Sequence, residues 1–306
     1  MIGNTHAICG KFETEALSVV CVQFPPERCL DLEGVNRNIT SIMDWMERAV
    51  NNFPGVDLIV FSECSAQGGG PFCSGVLLDL KGPEVQLLKD KCKALDVFAV
   101  FDIITADTQG HQACNTAIIV NNQGELIHEY VKMNPWIPEE PFYPGDFGCS
   151  AVAGPKGSRI ATIICADGDY PEMWRLAARS GANVIVRIAH YPVPWDHAWE
   201  ITNKAGAYCN QIYVVSCNTV GYDDTSVNFG NSMILNPDGG IIAQAPTGIP
   251  WMIKADIYPG LVDKMRTDSV TNNFLWSYNH RGASHPEVAG VGRDTSVYQA
   301  PSQIKS

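Results

Sequence analysis

Apolar and polar positions alternate along this chain in blocks whose period switches between that of a strand and that of a helix. Residues 18–24 form a short β-branched run that stops at Pro25-Pro26, which predicts a first strand. Behind it Val35, Ile39, Ile42, Met46 and Val50 recur on one helical face while the rest stays polar, so a helix follows. Residues 56–61 are almost continuously apolar, the pattern of a strand covered on both faces in a largely parallel sheet. A helix at 83–95 and a strand at 97–104 continue the alternation. Residues 113–120 and 125–131 flank Asn121-Asn122-Gln123-Gly124 and read as a hairpin.

The second half repeats the theme. A buried strand is predicted at 159–165, then an Asp167-Gly168-Asp169 turn, then a helix from Pro171, whose ring suits a first helical position, to about Arg179. A strand at 183–188, a helix at 195–210 and a strand at 212–218 come next. Residues 232–236 and 241–245 read as a second hairpin around Pro237-Asp238-Gly239-Gly240. Past Asp256 the pattern is punctuated by Gly and Pro, and an irregular tail is expected from about residue 260. Strands and helices alternate with no linker or composition break, so residues 1–306 are expected to form a single α/β domain.

Composition narrows the options. With 45% hydrophobic and 18% charged residues the chain can bury enough apolar surface to offset its conformational entropy, which excludes a disordered chain. The net charge of -12 opposes binding to phosphate backbones and anionic lipids, so neither nucleic acid nor membrane is an expected partner. No apolar run approaches the roughly 18 residues of a membrane span and no export signal is evident, giving a cytoplasmic expectation. The 11 cysteines show no Cys-x-x-Cys or paired-His spacing, and no Gly-rich phosphate loop follows a strand. These patterns give no support to a zinc or nucleotide site, and the chemistry read below needs no metal or organic cofactor.

In open parallel sheets ligand sites form beyond the carboxyl ends of strands. Three chemistry-bearing residues fall there: Glu63 after residues 56–61, Lys132 after residues 125–131, and Cys165 at the end of 159–165. Taken singly, an acid or a lysine at a strand end is ordinary solvated surface, and a cysteine behind an apolar run is ordinary core. As a set they make chemistry. A strand-to-helix turn presents a side chain beside free backbone N–H groups, and a helix start favours a thiolate, so Cys165 fits a nucleophile better than the other ten cysteines.

The segments around these residues resemble the nitrilase superfamily, in particular its aliphatic amidase and formamidase branch. The resemblance is carried by Phe61-Ser62-Glu63, by the stretch from Tyr130 to Trp136, and by Cys165-Ala166-Asp167-Gly168-Asp169-Tyr170-Pro171-Glu172. It extends to Glu140-Pro141-Phe142-Tyr143-Pro144-Gly145, to the run from Gly181 to Arg187, and to the later Asn272-Asn273 and His280-Arg281-Gly282. It implies a four-layer α-β-β-α sandwich and a Glu-Lys-Cys triad that hydrolyses carbon–nitrogen bonds other than peptide bonds. Glu63 would be the general base, Lys132 the electrostatic partner and Cys165 the nucleophile. Glu140, rather than Glu139, would be a second glutamate near the site, acting as an ion-pair partner of Lys132 or in positioning substrate. Tyr191 falls where formamidases place a substrate-contacting tyrosine, and Trp136 and Trp195 are further candidates for a pocket wall. Ala166, where relatives often carry a larger residue, would contribute its backbone N–H to an oxyanion site.

A free thiol with a pKa of about 8.5 is mostly protonated at neutral pH, so a base must accept its proton as sulfur attacks. Burial is expected to raise the Glu63 pKa toward neutrality and fit it for that exchange. The expected function is hydrolysis of a short-chain amide, with formamide leading, by a homo-oligomer such as a dimer or hexamer. Its only other partners would be the small-molecule amide and water. A carbamoyl amine, a nitrile or a larger amide as substrate, and a catalytically silent binding or assembly protein, remain the alternatives.

Overall fold

The computed structural model describes residues 14–69, 76–106, 113–136, 142–146, 148–222 and 226–268. The strands form two six-stranded sheets, each with a helix pair on its outer face, and the two sheets stack on each other.

The first sheet is laid down by β1 (Leu17–Gln23), β2 (Leu58–Phe61), β3 (Phe98–Ala106), β4 (Ala113–Val120) and β5 (Leu126–Val131). β1, β2 and β3 run parallel, and β3, β4 and β5 then pair antiparallel. α1 (Leu32–Asn52) and α2 (Pro83–Leu95) make the crossovers. The Asp31 side chain caps α1 by accepting from the Gly34 N–H at 2.8 Å. The stripe read from the sequence is the face α1 buries: Val35, Ile39, Ile42 and Met46 are at most 1% exposed and pack with Val20, Val22 and Ile59. Alternate residues of the same strands, such as Val19, Cys21 and Val60, face the second sheet instead.

The second sheet is built from β6 (Val152–Ala153), β7 (Arg159–Ile164), β8 (Val184–Ala189) and β9 (Tyr213–Asn218), with β12 (Met233–Leu235) and β13 (Ile241–Gln244) completing it. Its order is β13-β12-β9-β8-β7-β6, with β7, β8 and β9 parallel. α3 (Pro171–Arg179) and α4 (Asp196–Asn210) cover its outer face through Trp174 and Trp199. β10 (Val220–Tyr222) and β11 (Val227–Phe229) form a separate ribbon. Between the sheets the Cys217 thiol lies 3.3 Å from the Val22 carbonyl oxygen and 3.4 Å from that of Val60. The layers run α-β-β-α, as the resemblance implied.

Two features differ from the sequence reading. β14 (Trp251–Ile257) was not foreseen: it pairs antiparallel with β1 along its whole length and forms the edge of the first sheet. Its alternation is present in the sequence: Ile253, Ala255 and Ile257 are buried, and the half-covered opposite face carries Lys254 and Asp256, paired at 2.6 Å. The segment from 259 is not irregular at its start, since α5 (Pro259–Asp268) buries Leu261, Val262 and Met265. Among the described residues no helix is long and apolar enough to cross a membrane.

Candidate active site

The three residues singled out in the sequence come from both sheets and meet where β2, β5, β7 and β8 end. Glu63 lies two residues beyond β2 and Lys132 directly after β5. The Lys132 peptide is fixed on both sides: its N–H donates to the Asn115 carbonyl at 2.8 Å and its carbonyl accepts from the Gly145 N–H at 2.9 Å. A Cβ on Gly145 would lie 2.1 Å from the Val131 carbonyl oxygen, so only glycine allows that approach. Lys132 Nζ donates to Glu63 Oε1 at 2.7 Å, with both side chains only 2% exposed.

Glu63 has two further donors. Asn115 Nδ2 donates to Oε1 at 2.7 Å, and the backbone N–H of His190, the residue after β8, donates to Oε2 at 2.6 Å. Burial pushes the Glu63 carboxyl up, but the charge and hydrogen bond of Lys132, aided by His190, outweigh it and hold the group below its ordinary value. This corrects the expectation that burial would win. The cation lies too close, and Glu63 rests as a carboxylate.

Cys165 is the first residue of a 3₁₀ turn, Cys165–Asp169, that separates β7 from α3. The helix start expected directly behind it is therefore this turn, with α3 beginning only at Pro171. Cys165 has φ +48°, a left-handed conformation uncommon for a residue with a Cβ and characteristic of a sharp elbow. Its thiol lies 3.9 Å from the His190 carbonyl oxygen. His190 thus has Glu63 on its N–H and Cys165 beside its carbonyl, which brings the base candidate and the nucleophile candidate to one residue.

The turn is anchored by Asp167, which is fully buried. Its Oδ2 accepts from the Tyr130 hydroxyl at 2.7 Å and the Ile164 N–H at 3.0 Å, and its Oδ1 from the Asn134 N–H and Nδ2, both at 2.9 Å. Asp167 therefore ties the cysteine loop to the lysine loop. Burial raises its pKa above the ordinary value despite these donors.

A cavity of about 170 Å³ opens in front of Cys165 and Ala166, and Trp136, Tyr191, Trp195, Asp169 and His190 form its described walls with Pro192. Trp136 is 42% exposed and Tyr191 6%. The Tyr191 hydroxyl donates to Asp169 Oδ1 at 2.8 Å. Glu140, with its neighbour Glu139, lies outside the described residues, as do Asn272, Asn273 and His280. The sequence reading missed Asn115, His190 and Arg187. His190 acts through its backbone and leaves no side-chain signal. Asn115 and Arg187 did leave one, as polar residues inside strands that are otherwise apolar.

A buried carboxylate held ionised by a lysine and joined through His190 to a thiol on an elbow is an arrangement suited to acyl transfer. The chain belongs to the carbon-nitrogen hydrolase family, whose profile matches residues 19–267. It is an amidase-like enzyme of that family. It is 36% identical over 265 residues to a formamidase of Bacillus cereus (strain AH820), covering 85% of this chain and 80% of the relative, and equally similar to a formamidase of Bacillus anthracis. The fold matches that of Saccharomyces cerevisiae Nit3, a member of branch 10 of the nitrilase superfamily, with a TM-score of 0.74 and 24% identity over 82% of this chain and 93% of that one. It also matches an amidase from Nesterenkonia sp. AN1 carrying a covalent acetamide moiety at its active site cysteine, with a TM-score of 0.72 and 21% identity over 87% and 94% of the two chains.

Proposed function

We propose that this enzyme hydrolyses a short-chain amide, formamide first among them, to a carboxylic acid and ammonia through a thioester on Cys165. The observation that carries the reading is the placement of Glu63 and Cys165 on the two sides of His190, with Lys132 holding Glu63 ionised. The formamidase names of the relatives at 36% identity support the choice of substrate.

In this reading the reaction runs in two halves through the thioester. Glu63 takes the thiol proton as Cys165 sulfur bonds to the amide carbon, and the carbonyl electrons move onto oxygen. The N–H of Ala166 and the Lys132 ammonium stabilise that oxyanion, a kind of interaction worth about 3 kcal/mol in such sites. As the tetrahedral centre collapses the C–N bond breaks, and Glu63 passes its proton to nitrogen so that ammonia leaves. Water then enters; Glu63 takes its proton and hydroxide attacks the thioester carbon. The C–S bond breaks, Glu63 returns the proton to sulfur and the acid is released. Lys132 keeps Glu63 a carboxylate in the resting enzyme, and its positive charge balances the negative charge that moves between sulfur, carboxylate and oxyanion.

An ammonia-release assay over formamide, acetamide, propionamide, urea derivatives and aryl amides tests the substrate. Formamide is expected to give the highest kcat/KM, and any other member of the panel turned over more than tenfold faster overturns that choice. Cys165→Ala is expected to abolish release from every amide the wild type hydrolyses.

A further inference from the structure

The Cys165–Ala166 peptide is gripped from behind by a buried cation, and we propose that Arg187 is the positioning residue of the oxyanion site, acting through this peptide. The inference rests on the reading of Cys165 as nucleophile given above. Arg187 sits within β8 and is 0% exposed. Its Nε and Nη2 donate to the Cys165 carbonyl oxygen at 3.0 and 2.7 Å. Nη2 also donates to Asp169 Oδ1 at 3.0 Å, while Nη1 donates to Thr202 Oγ1 at 2.7 Å. The guanidinium carbon stands 4.8 Å from the Trp199 ring centroid, 5.2 Å from that of Tyr191 and 5.8 Å from that of Trp174. A Cβ on Gly168 would lie 2.2 Å from Nε, so the glycine of the turn is what lets the guanidinium reach the cysteine carbonyl.

The carbonyl that Arg187 holds and the N–H of Ala166 belong to one conjugated peptide unit. Two charge-assisted donors on that oxygen draw electron density from the nitrogen and make the N–H at the other end a stronger donor. They also fix the plane of the peptide and so the direction of the N–H. Ala166 is the second residue of a 3₁₀ turn, where a backbone N–H has no partner within the turn and stays available. The cation thus strengthens an oxyanion donor without entering the pocket. Asp169 and Tyr191, joined to the same guanidinium, connect this grip to the pocket wall.

The test separates oxyanion stabilisation from thiol placement. Arg187→Lys keeps a cation but loses the two-pronged grip on the carbonyl. It is expected to lower kcat about 10²-fold with KM changed less than about threefold. The rate at which methyl methanethiosulfonate modifies Cys165, an attack at sulfur that builds no oxyanion, is expected to stay within about threefold of wild type. Thr202→Val, which removes one anchor of the guanidinium outside the pocket, is expected to reproduce the split at about three- to tenfold in kcat, and it serves if the lysine variant does not fold. An unchanged kcat, or kcat and thiol modification falling in proportion, overturns the proposal and leaves Arg187 as a strut of the fold. Failure of the underlying reading looks different: wild-type enzyme fully modified at Cys165 would still release ammonia.

Discussion

Glu63 and Asp167 are two carboxylates in nearly the same predicament, and the difference between their surroundings shows what this fold does with buried charge. Glu63 is 2% exposed and Asp167 0%. Glu63 accepts from Lys132, Asn115 and the His190 N–H, and Asp167 from Tyr130, the Ile164 N–H and two groups of Asn134. Yet Glu63 is held below its ordinary pKa and Asp167 is raised above it. The decisive difference is a cation at 2.7 Å: neutral donors relieve desolvation, whereas an ammonium in contact reverses it. The site accordingly holds one carboxylate ready to take a proton and another that serves as a tie between loops.

Removing the cation should break the contrast with the largest effect. Lys132→Met leaves burial of Glu63 unopposed by its main partner, so its pKa is expected to rise above the ordinary value. kcat is expected to fall about 10³-fold, and the acid limb of the kcat/KM profile of any residual activity to move to higher pH. A kcat within tenfold of wild type would show that Lys132 is not needed to keep Glu63 ionised during turnover.

His128 extends the comparison to a buried base without an ion-pair partner. Its Nε2 lies 3.1 Å from Thr162 Oγ1 between the sheets, and burial pushes its pKa down to about 4. The unfolded chain takes up this proton at about pH 6.5 and the folded chain only near pH 4, so acid favours unfolding in between. The contribution of His128 is whole above about pH 6.5 and is lost as pH falls toward 4, a loss of about 3 kcal/mol. Urea denaturation at a series of pH values should show that His128→Gln flattens the stability profile across this window.

Tyr130→Phe tests the other side of the contrast. It deletes one donor to Asp167 while leaving the Lys132–Glu63 pair in place, so chemical denaturation is expected to show a loss of about 1.5–3 kcal/mol. Turnover is expected to change less than tenfold. A large drop in kcat with stability unaltered would mean that Asp167 does more than tie the loops.

Much of this arrangement was legible in the sequence where local pattern and tertiary role agree. The stripe from Val35 to Met46 is the buried face of α1, and the continuous apolar run ending at Phe61 is a strand covered on both sides. The strand-end positions of Glu63, Lys132 and Cys165 pointed to one shared site. What escaped depends on contacts distant in the chain. β14 finds its partner more than two hundred residues away, and the N–H of His190 reaches Glu63 from the other sheet. The sign of the Glu63 shift could not be read from burial alone, because it depends on how near Lys132 comes. Arg187 left a clue as a charged residue in the apolar run of β8, and only the fold shows that it turns toward the Cys165 carbonyl.

The central claim is that Cys165 carries the acyl group during turnover. Acid-quenching the enzyme at steady state with formamide or acetamide, followed by mass spectrometry of the intact chain and its peptides, tests it most directly. The account predicts an acyl adduct confined to the peptide containing Cys165 and absent from Cys165→Ala. An adduct on another residue, or full ammonia release by Cys165→Ala, would contradict it.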